Sequence, residues 1–491
     1  MSIITCTTWV KKGVASTNPA KIQLTPKELK RIIKHTKSEL LSQAENDSDK
    51  EHNEVIEQKS DVESQFNTSE TDEYNFDTYD DEPGDIHCNI SNIASFEIDG
   101  TDPLITGEDD DSEIEDDIIK SDDNLVLIGN AKEYSSVLEV FVYNRNEDSF
   151  YCHHDILLPS FPLCIEWLNF DPTDPKPGNL CAIGDMSPII QVWDLDLMDS
   201  LEPAYKLGRK ANKKKSQSYI GHRDAVVDLA WNKHYMHVLA SASADQTVLL
   251  WDLQIGTPAN KFTSFEGEIN TLKWHPNEGH QLLTGCADTI VRLFDCRQET
   301  MVKSWDTIGE VEKVLWNWSD PNYCLASTSQ GYVQYIDIRE AKPVWGVQAH
   351  TEEVTGLSLS PSCPGLLVTA STDSFIKVWD IINNKSPQSI WEKQTNLGAL
   401  LCLAFNPDNP FVFSVGGDNK SHSYKIFDLL EIPEVSARFR ERKHITSESN
   451  IDDTKTQEKK EEVMDVAEDV NSLILSLDKT NTTPKNRGRN K

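Results

Sequence analysis

Val248-Leu249-Leu250-Trp251-Asp252-Leu253 decides the fold, because its last four residues recur along the chain. The same phrase reads Val192-Trp193-Asp194-Leu195, Leu293-Phe294-Asp295-Cys296, Tyr335-Ile336-Asp337-Ile338, Val378-Trp379-Asp380-Ile381 and Ile426-Phe427-Asp428-Leu429. Val142-Tyr143-Asn144 is a weaker first copy. Successive copies lie about 42 to 58 residues apart, the period of a β-propeller blade. Seven copies imply an all-β chain with seven blades. Most of the aromatic residues are then structural.

Each blade also needs an inner strand, and that strand has its own phrase. An apolar alternation ends in an aromatic or apolar residue and then a turn: Leu229-Ala230-Trp231-Asn232, Leu272-Lys273-Trp274-His275-Pro276, Val314-Leu315-Trp316-Asn317, Leu357-Ser358-Leu359-Ser360-Pro361, Leu403-Ala404-Phe405-Asn406-Pro407 and, earlier, Cys164-Ile165-Glu166-Trp167. From this strand end to the closing phrase is 20 positions in four consecutive blades. The seventh inner strand is not in front of Val142, where the chain is acidic. It is at the N-terminus, where Ile4-Thr5-Cys6-Thr7-Thr8-Trp9-Val10 has the same pattern. Blade one is therefore expected to be split, with residues 3–10 as its inner strand and residues 124–130 and 137–144 as the next two. Pairing the two ends in this way protects sheet edges.

The phrase resembles the WD repeat, and two blades carry that repeat's full polar set: His222, Ser241, Asp245 and Trp251, then His350, Thr369, Asp373 and Trp379. The resemblance implies that the turn Asp accepts from the His, which bonds the hydroxyl, which bonds the indole N–H. Buried polar groups need such partners. Ser, His and Asp together would suggest a hydrolase triad, but the set recurs in register with Trp-Asp, so it is read as structural. Blade four has Asp288 but Gly267-Glu268 in place of Gly-His, and blade five has Gln330 in place of the turn Asp. Both are expected to rest on packing more than on the network. There is no phosphate loop, metal-ligand spacing or nucleophile elbow, so neither catalysis nor a cofactor is expected. His153-His154 lies on a strand whose successive residues face opposite ways, and it is read as structural.

Charge is segregated. The formal charge is -34, and residues 45–123 carry 29 acidic residues against three lysines. Such a segment cannot bury enough apolar surface to offset chain entropy and is expected to be disordered. It either engages basic partners or serves as a solvating spacer. Ser48, Ser60 and Ser112 each have Glu at plus three and are phosphorylation candidates for an acid-directed kinase. Arg209, Lys210, Lys213, Lys214 and Lys215 form a basic cluster on the loop that lengthens the interval between Trp193 and Trp251. It reads as a nuclear or nucleolar signal, as a phosphate-contacting patch, or as a plain solvated loop. Arg438, Arg440, Arg442 and Lys443 form a second cluster, read in the same way.

Thr25-Pro26-Lys27-Glu28 is a capping box that predicts a basic helix over residues 26–41, docked or solvated. Val463, Val466, Val470, Leu473, Ile474 and Leu477 fall at helical spacing, either a partner-binding helix or a transient one. The ten cysteines form no C-x-x-C pair and sit mostly in apolar strands, which suggests buried free thiols. No signal peptide or membrane-length apolar run is seen, so a soluble intracellular protein is expected. The expected organisation is residues 1–15 as the N-terminal strand of blade one, 16–44 as a linker with the helix 26–41, and 45–123 as an acidic disordered segment. A WD40 β-propeller over 124–432 follows, and then a disordered tail, 433–491, with a helix over 458–478.

More specific likenesses lie outside the repeat. Thr5-Cys6-Thr7-Thr8-Trp9-Val10-Lys11-Lys12-Gly13-Val14-Ala15, Ser149 to Leu158, Glu166-Trp167-Leu168-Asn169-Phe170-Asp171-Pro172 and Val192 to Pro203 resemble the periodic tryptophan protein 1 family. The likeness covers residues 3–41 and 124–430. It implies a nuclear, largely nucleolar scaffold acting with chromatin at ribosomal RNA genes, in ribosome biogenesis and growth control. The partners it implies are histones or chromatin, RNA polymerase I and pre-ribosomal factors. Contact with ribosomal DNA or RNA would be indirect, and the protein would be a monomer within larger assemblies. The alternative is a substrate receptor or adaptor of a ubiquitin ligase. Such propellers show Asp-x-Arg after Trp-Asp, and here only Asp295-Cys296-Arg297 and Asp337-Ile338-Arg339 resemble that, without the Trp.

Overall fold

Seven sheets follow one another around a ring. The computed structural model describes residues 2–22, 25, 27, 30–32, 34 and 118–442, except 134, 175, 211–218, 299 and 383–385. The chain divides into two units, one of Met1–Lys21 with Asp117–Lys491 and the other of Ile22–Asp116. The propeller belongs to the first. In the second, Lys27, Lys30, Arg31, Ile32 and Lys34 are helical, within the predicted helix, whose other positions lie outside the described residues.

Blade one is split. Ser2–Val10 is its inner strand and pairs antiparallel with Asn124–Lys132, followed by Ser136–Asn144 and Ser149–Leu158. Pairing of Trp9 with Val126 and of Val10 with Leu125 thus spans more than a hundred residues of intervening chain. Blades two to six are also four-stranded, with inner strands Pro162–Leu168, Val226–Trp231, Ile269–Trp274, Val311–Trp316 and Gly356–Leu359. Blade seven has three strands among the described residues: Leu400–Phe405, Val412–Gly417 and Tyr424–Asp428.

The third strand of each blade carries Trp-Asp or its equivalent, and in the four-stranded blades it lies between two others. Val248–Asp252 is buried along its first four residues, with Trp251 at 0% exposure. Core clusters form between successive blades as well as within them. Leu283, Leu293, Val314, Trp316 and Ile336 share one cluster that joins blades four and five. Each such side chain stabilises the fold by about 1.5–3 kcal/mol when fully buried.

The inner-strand aromatics also stitch the ring together with hydrogen bonds. Trp274 Nε1 donates to Ala230 O at 3.0 Å and Trp316 Nε1 to Lys273 O at 3.1 Å, each reaching the preceding inner strand. Trp9 Nε1 does the same across the chain ends, to Ala404 O at 3.2 Å and Ser414 Oγ at 3.0 Å. Lys12 N and Asn124 Nδ2 both reach Asp408 Oδ2, at 2.9 and 2.7 Å, so the closure is tied at its rim.

Two expected boundaries are corrected. Residues 118–123 belong to the propeller and not to the acidic segment. Ile119 is buried in the blade-one core, and Asn144 Nδ2 donates to both Asp122 Oδ2 and Asp123 Oδ1, at 3.1 and 2.7 Å. Residues 433–442 were expected in a disordered tail. They form an α-helix, Pro433–Phe439, and its C-terminal turn, with Val435 and Phe439 fully buried against blades six and seven. The remaining tail, including the helix predicted over 458–478, lies outside the described residues, as does most of the acidic segment with Ser48, Ser60 and Ser112.

Candidate interaction surfaces

The two complete polar sets come together inside their blades. His222 Nε2 lies 2.6 Å from Ser241 Oγ, which accepts from Trp251 Nε1 at 2.8 Å. His222 Nδ1 faces Asp245 at 3.3 Å, and Asp245 also accepts from Arg223 N at 2.8 Å and Thr247 Oγ1 at 2.6 Å. In blade six, His350 Nε2 lies 2.8 Å from Thr369 Oγ1, and Trp379 Nε1 donates to the same oxygen at 3.0 Å. His350 Nδ1 faces Asp373 at 3.1 Å. Burial pushes both carboxyls up, but the hydrogen bonds they accept outweigh it and hold them below the ordinary range. The Ser and Thr oxygens are fully enclosed, and both already have two partners. They hold the blades and present nothing to a substrate. Gly221 sits at φ +106°, where a Cβ would come within 2.8 Å of the Trp251 ring, so glycine is needed there.

Blade four departs from expectation. Asp288 is gripped by Arg292 through two bonds of 2.9 and 2.6 Å, and both side chains are largely buried. Arg292 also lies 5.3 Å from the centre of the Phe265 ring. A bidentate ion pair therefore stands where blades three and six use histidine. The signal was present in the sequence as Arg four residues after the turn Asp, where blade three has Leu249 and blade six has Lys377. Blade five does rest on packing: Tyr335 is stacked between Tyr323 and Trp345, at 5.0 and 5.1 Å.

The basic surfaces divide in two. Arg209 and Ile220 exchange backbone bonds of 2.7 and 3.0 Å, closing the base of the loop between blades two and three. Arg209 and Lys210 are exposed, and Lys213, Lys214 and Lys215 lie outside the described residues. The second cluster is corrected. Arg438 Nε donates to Asp380 Oδ2 at 2.7 Å. Arg442 holds both oxygens of the same carboxylate, at 3.1 and 2.7 Å, and Pro364 O at 2.7 Å. Asp380 is the Asp of the blade-six Trp-Asp and is 3% exposed. These two arginines fasten the C-terminal helix and are not a free patch. Arg440 is exposed, and Lys443 lies outside the described residues.

The inner strands also carry charge, and the structure shows what it meets. Glu166 accepts from Trp231 N at 3.1 Å, and Asp228 accepts from Leu272 N at 2.9 Å. Burial pushes Glu166 up. Lys273 is raised despite its burial, because Asp228 and Glu166 favour its charged form. Burial, and then Glu353 beside it, push Glu312 up to about 8. His153 and His154 meet through their Nδ1 atoms at 2.9 Å, and burial with His153 nearby lowers His154 to about 4. Among the described residues no three His, Cys, Asp or Glu side chains gather as a metal site requires. Nor is any helix there long and apolar enough to cross a membrane. Arg297 and Arg339 fold back onto their own Asp295 and Asp337, at 3.0 and 2.7 Å.

The WD domain, G-beta repeat, family matches residues 213–252, 256–295 and 341–380. An uncharacterised WD repeat-containing protein of Schizosaccharomyces pombe is 32% identical over 476 residues, covering 90% of this chain and 92% of that one. Periodic tryptophan protein 1 of Saccharomyces cerevisiae is 30% identical over 521 residues, covering 89% and 90%. Periodic tryptophan protein 1 homolog of Drosophila melanogaster is 42% identical over 424 residues, covering 84% and 90%. Identity at this level along nearly the whole of each relative, on a ring closed by its own N-terminal strand, means that the chain belongs to the periodic tryptophan protein 1 family.

Proposed function

We propose that the protein is a non-catalytic nuclear and nucleolar scaffold that works with chromatin at ribosomal RNA genes, in ribosome biogenesis and growth control. One observation carries this reading. The polar sets that could do chemistry are enclosed and fully bonded within the blades, while Arg209 and Lys210 stand exposed on a basic loop and the sequence carries a separate, strongly acidic segment. A platform with one basic and one acidic arm suits the assembly of basic proteins and phosphate-rich nucleic acid. Phosphate on Ser48, Ser60 or Ser112 would add about -1.5 to -2 charge each and strengthen the hold on a basic partner.

Changing Arg209, Lys210, Lys213, Lys214 and Lys215 together to Ala tests the reading. The variant should stay folded, leave the nucleolus and lower ribosomal RNA output. Arg440→Ala and Lys443→Ala should be added as a second arm, with Arg438 and Arg442 left in place because they hold the helix. Unchanged nucleolar staining in the combined variant would show that these charges do not place the protein. The alternative reading, a ubiquitin-ligase substrate receptor or adaptor, predicts cullin adaptors in affinity purification in place of histone, polymerase or pre-ribosomal partners.

A further inference from the structure

Among the described residues, blade seven ends on a strand whose sequence is that of a middle strand. Elsewhere the third strand is covered by a fourth and is mostly buried, as at Val248–Asp252, Ile290–Asp295 and Tyr332–Asp337. Tyr424–Asp428 pairs only with Val412–Gly417 among the described residues. Lys425 is exposed, Tyr424, Ile426 and Asp428 are half-buried, and only Phe427 is buried. The chain that would turn back is diverted. Asp428 accepts from Leu430 N at 2.9 Å and starts a short 3-10 turn, after which Pro433 opens the helix clamped to Asp380.

The open edge has a defined register. Leu429 N donates to Phe411 O at 2.8 Å and Gly417 N to Ser423 O at 2.7 Å. In an antiparallel ladder the residues alternate, so the odd-numbered residues turn their backbone to Val412–Gly417. Tyr424, Ile426 and Asp428 therefore turn N–H and C=O outward, towards the place of a fourth strand about 4.8 Å away.

The two walls of that place differ. On the blade-one side, Tyr424 and Ile426 pack with Phe141 and Tyr143. Phe150, still 43% exposed, stacks on Phe141 at 4.7 Å and reaches Tyr424 at 6.1 Å. On the blade-six side two ammonium groups flank Phe427, Lys425 at 5.1 Å and Lys393 at 6.0 Å. One wall is aromatic, with the ion pair of Arg145 and Asp428 at its end, and the other is basic. An added strand would turn alternate side chains to the two walls.

We propose that this edge takes up an extended segment of a partner protein as the fourth strand of blade seven, a segment in which apolar residues alternate with Asp or Glu. Main-chain bonds to Tyr424, Ile426 and Asp428 supply affinity, and the two walls select the alternation. The inference goes beyond the scaffold reading and does not depend on where in the cell the protein acts.

The probe is a short acetylated peptide in which isoleucine and glutamate alternate, titrated against the full chain beside a twin with lysine in place of glutamate. The Ile/Glu peptide should bind saturably, and the Ile/Lys twin about tenfold or more weakly. Lys425→Glu should weaken the Ile/Glu peptide about tenfold with no change in melting temperature. Ile426→Pro removes an outward N–H, together with a side chain that packs on the aromatic wall, and should weaken it similarly. Should that variant not fold, hydrogen exchange on the unaltered chain gives the same reading. Bound peptide should slow the amides of Tyr424, Ile426 and Asp428 and leave the outer strands of other blades unchanged. Equal affinity for both peptides, undiminished binding by Lys425→Glu, or unprotected amides at those three positions would overturn the proposal. So would binding that appears only after residues 45–116 are deleted, because the edge would then be filled from within the chain.

Discussion

Trp251 and Trp379 each fill an enclosed site and donate to a hydroxyl that a histidine also holds. Replacing either with Ala should destabilise the chain by about 3–5 kcal/mol, as loss of a large buried aromatic does. Urea unfolding would register this as a lower midpoint. An unchanged midpoint in either variant would contradict the structural role. Glu312 gives a pH dependence. The folded chain keeps its proton up to about pH 8, and the unfolded chain releases it near its ordinary value of 4.5. The unfolded state then binds fewer protons between those values, so stability falls as pH rises through that window. Glu312→Gln should remove this slope, with a gain on the order of 1–3 kcal/mol at pH 8 and none at pH 4, read from melting curves at both. The Glu312–Glu353 pairing does not follow from a repeat phrase, because it depends on which side chains a neighbouring strand brings into range, whereas the Arg292 grip on Asp288 spans four residues and was legible as local spacing.

At the scale of elements, the C-terminal helix behaves as part of blades six and seven. Asp380 is buried and draws its partners from Arg438 and Arg442, more than fifty residues away. Arg438→Ala together with Arg442→Ala leaves that carboxylate uncompensated and should cost about 3–5 kcal/mol. Arg440→Ala, on the exposed side of the same turn, should stay within about 0.5 kcal/mol. Chemical denaturation of the two variants side by side checks this, and equal stability would mean that the clamp is idle. The sequence made all four basic residues look alike, since local spacing cannot show which of them faces a buried carboxylate. Element type was easier to read. Period-2 alternation and the 20-residue interval located the inner strands, including one at the N-terminus far from its partners.

For the whole molecule, closure is the decisive event. Residues 2–10 supply the inner strand of blade one, bond blade seven and lie against blade two, so deleting residues 1–12 should open the ring and lower the melting temperature sharply. Deleting residues 45–115 only shortens a long connection, and loop entropy changes by about 0.6 kcal/mol per doubling, so stability should shift by roughly 1 kcal/mol. A harmless first deletion would refute the split blade. By itself the sequence determined the class of fold, the number of blades, the split first blade and the two enclosed polar sets. These rest on periodic burial and on local turn chemistry, which any segment carries within its own residues. Only the tertiary structure decided that Arg438 and Arg442 are spent on Asp380, that residues 118–123 belong to blade one, and that blade seven has three strands among the described residues. Each of these depends on contacts between residues distant in the chain, and the identity of a distant partner is set by how the blades pack.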